Sequence, residues 1–551
     1  MVDRHLLAER AQARSPLAAL AFLLLLAVPG QAAEVALRPV ALTGGQAPGT
    51  AAGVVFAAFD SPFNTSIPVP LIDDTGQVLY FAFLAGPGVD PTNGHGLWVD
   101  RAATSTLLAR AGDPAPGTPA GTLFHGLPNV EIPLGFLAAG GAAALPATLS
   151  GPAVTAVDDV GIWSDASGTM VLVVREDDPV PGAPGLAFSE PRLHRFTAVG
   201  ESLFYASLRG TGVTTADDEA LWSHLAGGVV ELRVREGDPA PSTPPGVVFG
   251  EGLLGSRPGA FPFADFNASG QLLLRADLLG PGVDEFSDEA LFRDGAFGLE
   301  LVLREGDPAP GAGPGVTFGG NSVALNLDFP LLNDLGQTFF AVRLGGAIPT
   351  TSALFSDHLG ALDLVAMPGM PAPGTGGTFI GVGGPALSDA GRIAFGAVLE
   401  TGPFPPTVIF WDQPGTLAPL ALPGDPIPDR PGATLRGGSD IVGFASSGHI
   451  AFTAGLDLPT GPVHGLLAAT PEGELQTLVA SGDAVDPGDG GGPRTVFLII
   501  PGGLSEQGVV SLRLEFTDGS SGLFTVPLRG TTIFEDGFES GDTSAWTSAQ
   551  G

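Results

Sequence analysis

The sequence contains no cysteine and no lysine: all 23 basic residues are arginine, set against 58 aspartates and glutamates, for a net charge of −35. Without cysteine there are no disulfides and no thiol nucleophile, so stability must come from a buried core. Without lysine there is no Schiff-base nucleophile and no P-loop lysine. With so few cations there is no positive footprint, which excludes nucleic acid and argues against anionic membrane surfaces as partners. The 8 histidines are scattered, with no His-x-His or His-Glu-x-x-His spacing, and no Gly-x-Ser-x-Gly elbow is present. Amphipathic helical stretches are also lacking after the N-terminal leader.

What is abundant is glycine and proline, 83 and 52 of 551 residues, in a chain that is 44% hydrophobic and only 15% charged. A chain that apolar buries a large core, so the glycines and prolines belong to many turns. At the N-terminus, Arg4, Arg10 and Arg14 precede the apolar run Leu17 to Val28 and the small-residue stretch Pro29 to Ala33. This is the pattern of a secretory signal peptide over residues 1–33, its apolar run shorter than the ~20 residues a membrane-spanning helix needs. No later run is long enough to span, so the mature chain is expected to be exported to the surface or medium, with the periplasm the other compartment.

Three signatures recur along the chain. The first is Gly-Asp-Pro-Ala-Pro-Gly, at Gly112 to Gly117 and Gly306 to Gly311, with variants starting at Gly45, Asp177, Gly237, Gly369, Gly424 and Gly482, at intervals of 55 to 69 residues. The second is a turn glycine followed four residues later by a large apolar residue, as in Gly76 and Tyr80, Gly200 and Phe204, or Gly336 and Phe340. The third is a small residue, an aliphatic and usually an aromatic, as in Gly96-Leu97-Trp98, Gly161-Ile162-Trp163, Ala220-Leu221-Trp222, Ala290-Leu291-Phe292 and Ala353-Leu354-Phe355. From the aromatic position to the next motif aspartate there are always 15 or 16 residues, a fixed strand, turn and strand.

Each repeat therefore predicts about four short strands bounded by turn formers. Repeated radially, such units make a β-propeller, and closing the ring removes exposed sheet edges. The chain starts on one half of a repeat, Val35 to Ala41 and Val54 to Phe59, and ends on the other, Val509 to Phe516 and Leu523 to Leu528. The expectation is an all-β, eight-bladed propeller over residues 34–530, one blade closed by both termini, with a linear β-solenoid or string of β modules as the alternative. Residues 531–551 depart from the repeat and read as a disordered tail or the stub of a lost domain, with a sorting or attachment segment as the alternative.

Asn267 with Gly270, Asn333 with Gly336, and the runs Gly391 to Phe395 and Gly448 to Phe452 together resemble the Asn-x-x-Gly-x-x-Ala-Phe repeat of bacterial exported tandem-repeat proteins of the choice-of-anchor type. The resemblance implies export and a varied C-terminal sorting tail, and it supplies no catalytic residues.

The recurrent aspartates Asp113, Asp178, Asp238, Asp307, Asp425 and Asp483 read as turn residues accepting backbone N–H groups. Arg110, Arg175, Arg235 and Arg304, three residues before four of them, suggest ion pairs between neighbouring blades. Two acidic hairpin loops have no such structural reason: Asp217, Asp218 and Glu219, and Asp284, Glu285, Asp288 and Glu289. Dense carboxylates suit a hard cation, so these seven residues are candidate calcium ligands, although no EF-hand spacing is present. Three function classes follow: a non-catalytic exported scaffold binding a glycan, protein or surface component; a polysaccharide hydrolase or lyase; and a calcium-stabilised surface or matrix protein. Carboxylates converging with an arginine in a central funnel would favour the enzyme, and featureless walls the scaffold.

Overall fold

The structure is a computed structural model that describes residues 37–59, 70–127, 136–138, 140–197, 200–225, 228–250, 264–319, 325–400, 406–413 and 416–528. The expected signal peptide, residues 1–33, and the expected tail, residues 531–551, lie outside the described residues. The described chain is all strand and turn, arranged in eight antiparallel sheets around a ring, an eight-bladed β-propeller.

The second blade shows how the sequence builds one sheet. The motif Gly112 to Gly117 turns the chain into a first strand in two pieces, Leu123–Gly126 and Phe136–Leu137; Ala143–Ser150, Val160–Ser164 and Val171–Arg175 then follow in order. The first strands of all eight blades touch one another in succession around the ring and so line its axis. Between the first and second strands lies the turn glycine, and all eight of these, from Gly76 (φ +82°) to Gly508 (φ +71°), have positive φ. An L-residue is strained there, which is why the glycine recurs.

The aromatic signature forms the core between blades. Trp98, Trp163, Trp222, Phe292 and Phe355 are all buried, each meeting a first-strand phenylalanine edge to face. Ring centroids are 5.1 Å apart for Phe56–Trp98, 5.0 Å for Phe124–Trp163, 5.1 Å for Phe188–Trp222, 5.2 Å for Phe249–Phe292 and 4.9 Å for Phe318–Phe355. The clusters around these rings join side chains of adjacent blades, as where Leu97 and Val99 of the first blade pack with Phe124 and Trp163 of the second. The small residue two places earlier has a reason too: a Cβ on Gly161 would lie 2.6 Å from the Trp163 ring.

Ring closure follows the expectation in part. Arg38–Leu42 pairs antiparallel with Ser521–Pro527 and completes the sheet of Arg494–Leu504 and Val509–Phe516. Val55–Ala58 does not join that sheet; it pairs with Val78–Ala85 and opens the first blade. The Gly45 to Gly49 turn lies between the two runs, and every copy of this motif carries the chain from one blade to the next.

The motif arginines are also placed differently from expectation. Nε of Arg110, Arg175, Arg235 and Arg304 donates to the main-chain carbonyl of Asn93, Asp158, Asp217 and Ser287, at 2.8 to 2.9 Å, in the hairpin loop of the same blade. They fasten loops within blades because the fourth strand runs antiparallel beside the start of the third. Pairs between neighbouring blades use other residues: Arg38 with Asp100 at 2.8 Å, Arg101 with Asp165 at 2.5 Å, Arg233 with Asp294, and Arg293 with Asp357. The motif aspartates do cap turns, Asp178, Asp425 and Asp483 accepting the N–H of Arg175, Leu422 and Ala480.

Candidate functional site at the ring axis

The turns between first and second strands come together at one end of the axis, where polar residues tie several turns to the next. Asn267 Nδ2 donates to the Asn333 carbonyl at 2.9 Å, Asn333 Nδ2 to that of Ser388 at 3.0 Å, and the Gly141 N–H to Asp73 Oδ2 at 2.9 Å. The next residue in several turns is acidic: Asp74 in the first blade, Asp334 in the fifth, Asp389 in the sixth and Glu506 in the eighth. Three of these accept a backbone N–H from the preceding blade: Asp334 from Ala268 at 2.8 Å, Asp389 from Asp334 at 3.0 Å, and Glu506 from Ser446 at 2.7 Å.

The strain of gathering these charges shows on Asp74. Surrounding protein, then the carboxylates of Glu506, Asp389, Asp73 and Asp334, push its carboxyl up to about 6, although the side chain still meets solvent. Asp389 is raised as well, by burial and by Asp334, Glu506 and Asp265, against the Asp334 N–H that bonds it. Cations enter the axial lining on the third blade. Arg195 Nε bonds Asp265 Oδ1 of the fourth blade at 2.7 Å, and Asp265 raises the guanidinium further. His194 beside it is pushed down to about 4 by burial and by Arg195 and Arg192. Carboxylates do converge from separate blades, and Arg195 in the wall is already engaged by Asp265.

The seven candidate calcium ligands lie at the other ends of the strands. In the third blade, Asp217 accepts the Thr214 N–H at 2.7 Å and hydroxyl at 2.9 Å and pairs with Arg235 at 2.9 Å. These contacts, the Thr214 N–H foremost, hold its carboxyl below the usual range. Asp218 is half-buried beside it, and the Glu219 N–H lies 3.3 Å from Glu236 Oε2. In the fourth blade, Asp284 accepts from the Ser287 hydroxyl at 2.8 Å, Glu285 is exposed and Asp288 half-buried. Glu289 is buried against Arg275, and burial raises its carboxyl despite that partner. Loop capping and arginine contacts thus engage Asp217, Asp284 and Glu289. Among the described residues no three His, Asp or Glu side chains are gathered to hold a metal ion, at these loops or at the axis.

The axial acids were not singled out from sequence. Their signal was their place, one residue after the Asn, Asp or Ser that opens each turn, and it carries meaning only once the turns are known to face one axis.

Residues 30–257 and 250–528 match a family of unknown function (DUF7453). No curated protein matches the chain. Among solved structures it is similar to Porphyromonas gingivalis dipeptidyl peptidase 4, at 9% identity and a TM-score of 0.40 over 82% of this chain and 58% of that one, less than two thirds of its length. It is also similar to the Pseudomonas aeruginosa periplasmic gluconolactonase PpgL, at 14% identity and a TM-score of 0.30 over 73% and 96% of the two chains. The polysaccharide lyase Uly1 matches at 10% identity and a TM-score of 0.32, over 70% and 88%.

Proposed function

The chain belongs to the DUF7453 family of unknown function, and from its geometry we propose that it is an exported, non-catalytic binding ring whose axial mouth takes a cationic group of a surface component. The observation that carries this reading is the gathering of Asp74, Asp334, Asp389 and Glu506 from four blades, where burial first and then the neighbouring carboxylates raise Asp74 to about 6. Every charge that bears on Asp74 is an acid, so the mouth presents a negative field that a ligand amine would neutralise. Among the described residues no three carboxylates are gathered to hold a bare metal ion, which favours a larger ligand with spaced positive charges.

Calorimetric titration with spermine, oligolysine and chitosan oligosaccharides, beside neutral glycans, tests the proposal. The amine-bearing probes should bind, more weakly in high salt, and Asp389→Asn with Glu506→Gln should reduce affinity by about tenfold or more. Equal binding of neutral and cationic probes would overturn it. A polysaccharide hydrolase or lyase is the second reading, favoured by the Asp74 carboxyl, raised to about 6 among other acids and so brought towards the range of a general acid or base. Turnover of any polysaccharide that Asp74→Asn abolishes would replace the first reading with this one.

A further inference from the structure

A second site lies between the second and third blades, away from the axial acids. The first strand of the third blade, Leu186–Phe196, breaks register between Ser189 and Arg192, and Glu190 sits at the break with φ +47°. Only glycine adopts that conformation without cost, and strained non-glycine residues held by their surroundings cluster at functional sites. Its N–H lies 3.3 Å from Glu176 Oε1, which also accepts the Ser189 hydroxyl at 3.1 Å, while its own carboxylate pairs with Arg192 at 2.8 Å. Glu176 is itself buried.

Next to this group a cleft of about 370 Å³ opens, lined by Glu176, Glu190, Arg192 and Asp159 and by the rings of Pro146 and Pro191. Pro146 occupies the second strand, opposite Ile162, where it brings no N–H and leaves an apolar wall. The lining thus combines carboxylate acceptors and one guanidinium donor within a volume suited to one or two sugar rings. Sugar hydroxyls, which both donate and accept, need the two together.

We propose that this cleft binds a pyranose sugar, with Glu190 and Asp159 accepting from its hydroxyls and Arg192 donating to them. Burial raises the Glu176 carboxyl from its ordinary range.

The test is calorimetric titration of the whole protein with glucose, galactose, mannose, N-acetylglucosamine and glucuronate. At least one should bind, and Glu190→Gln should weaken it by about tenfold, the factor that one charge-assisted hydrogen bond is worth. Ala156 is an exposed residue of the cleft lining, so Ala156→Trp should block binding while the melting temperature stays that of the parent. Excess spermine should not compete, since it would go to the axial mouth. Absence of binding by every sugar, binding that survives Ala156→Trp, or competition by spermine would each overturn the site.

Discussion

Replacing Trp163 in two steps separates what the recurring aromatic position contributes. The indole is fully buried, meets Phe124 edge to face, and donates Nε1–H to the Pro116 carbonyl at 2.9 Å. Trp163→Ala removes all three contributions, and large-to-small changes of this kind cost about 3–5 kcal/mol. Trp163→Phe keeps a ring against Phe124, as the chain itself does with Phe292, Phe355 and Phe410. It should lose the hydrogen bond and a little volume, about 1–2 kcal/mol.

Trp222 supplies the control, because it has the same edge-to-face partner geometry with Phe188, but its buried Nε1 has no acceptor among the described residues. Trp222→Ala should again cost about 3–5 kcal/mol, whereas Trp222→Phe removes an unsatisfied polar atom and should cost about nothing. The assay is the thermal or urea midpoint of seven proteins under one protocol: wild type, the four single variants, Phe124→Ala, and Phe124→Ala with Trp163→Ala. The double variant should fall short of additivity by about 1 kcal/mol, the size of an aromatic pair. Equal losses for Trp163→Phe and Trp222→Phe would refute the argument that the motif carbonyl anchors the indole.

Affinity for spermine should fall as pH drops through about 6, where Asp74 takes up a proton, and Asp74→Asn should flatten that step in a calorimetric pH series. For stability the sign is reversed: the folded-state pKa lies above the ordinary 3.8, so ionised Asp74 opposes folding above about 6 and the opposition fades as pH falls towards 4. Asp74→Asn should therefore raise the melting temperature at pH 8 and leave it unchanged at pH 4. Removal of residues 1–42 should leave Ser521–Pro527 as an open edge and produce association that rises with concentration in light scattering; a monomer with the parent melting temperature would argue against closure by Arg38–Leu42. Millimolar calcium, or chelator, should leave the melting temperature unchanged, because Asp217, Asp284 and Glu289 already have partners; a rise lost in Asp284→Asn would restore those loops as a cation site.

The fold was legible because its signals are local and repeated. A glycine at φ +78°, such as Gly270, or a ring such as Trp98 packed over Gly96 leaves the same residue in each copy, and four strands per copy with split termini leave few ways to satisfy the edges. The phase of the repeat was harder to see. Val35 to Ala41 and Val54 to Phe59 look like adjacent strands of one sheet, and only the pairing of Val55 with Ala85 shows that the Gly45 to Gly49 turn crosses between blades. Sequence spacing fixes the length of a turn and says less about whether it returns to its own sheet or passes to the next.

The axial site was illegible for a different physical reason, which also bears on what such a ring can do. Electrostatic crowding at Asp74 depends on Glu506, Asp389 and Asp334, residues separated by hundreds of positions and placed on turns whose own local chemistry is ordinary. The acidic loops stood out in sequence because their charges are adjacent there, yet adjacency along the chain let them be neutralised locally, Asp217 by Thr214 and Arg235, Glu289 by Arg275. At the axis the nearest partners are other acids: four turns supply a carboxylate, three of which accept the backbone N–H of the preceding turn, and Arg195 on the third blade is engaged by Asp265. A closed ring therefore concentrates whatever its inner turns hold in common, and a chain with 23 arginines to 58 acids leaves that concentrated charge for a ligand to meet.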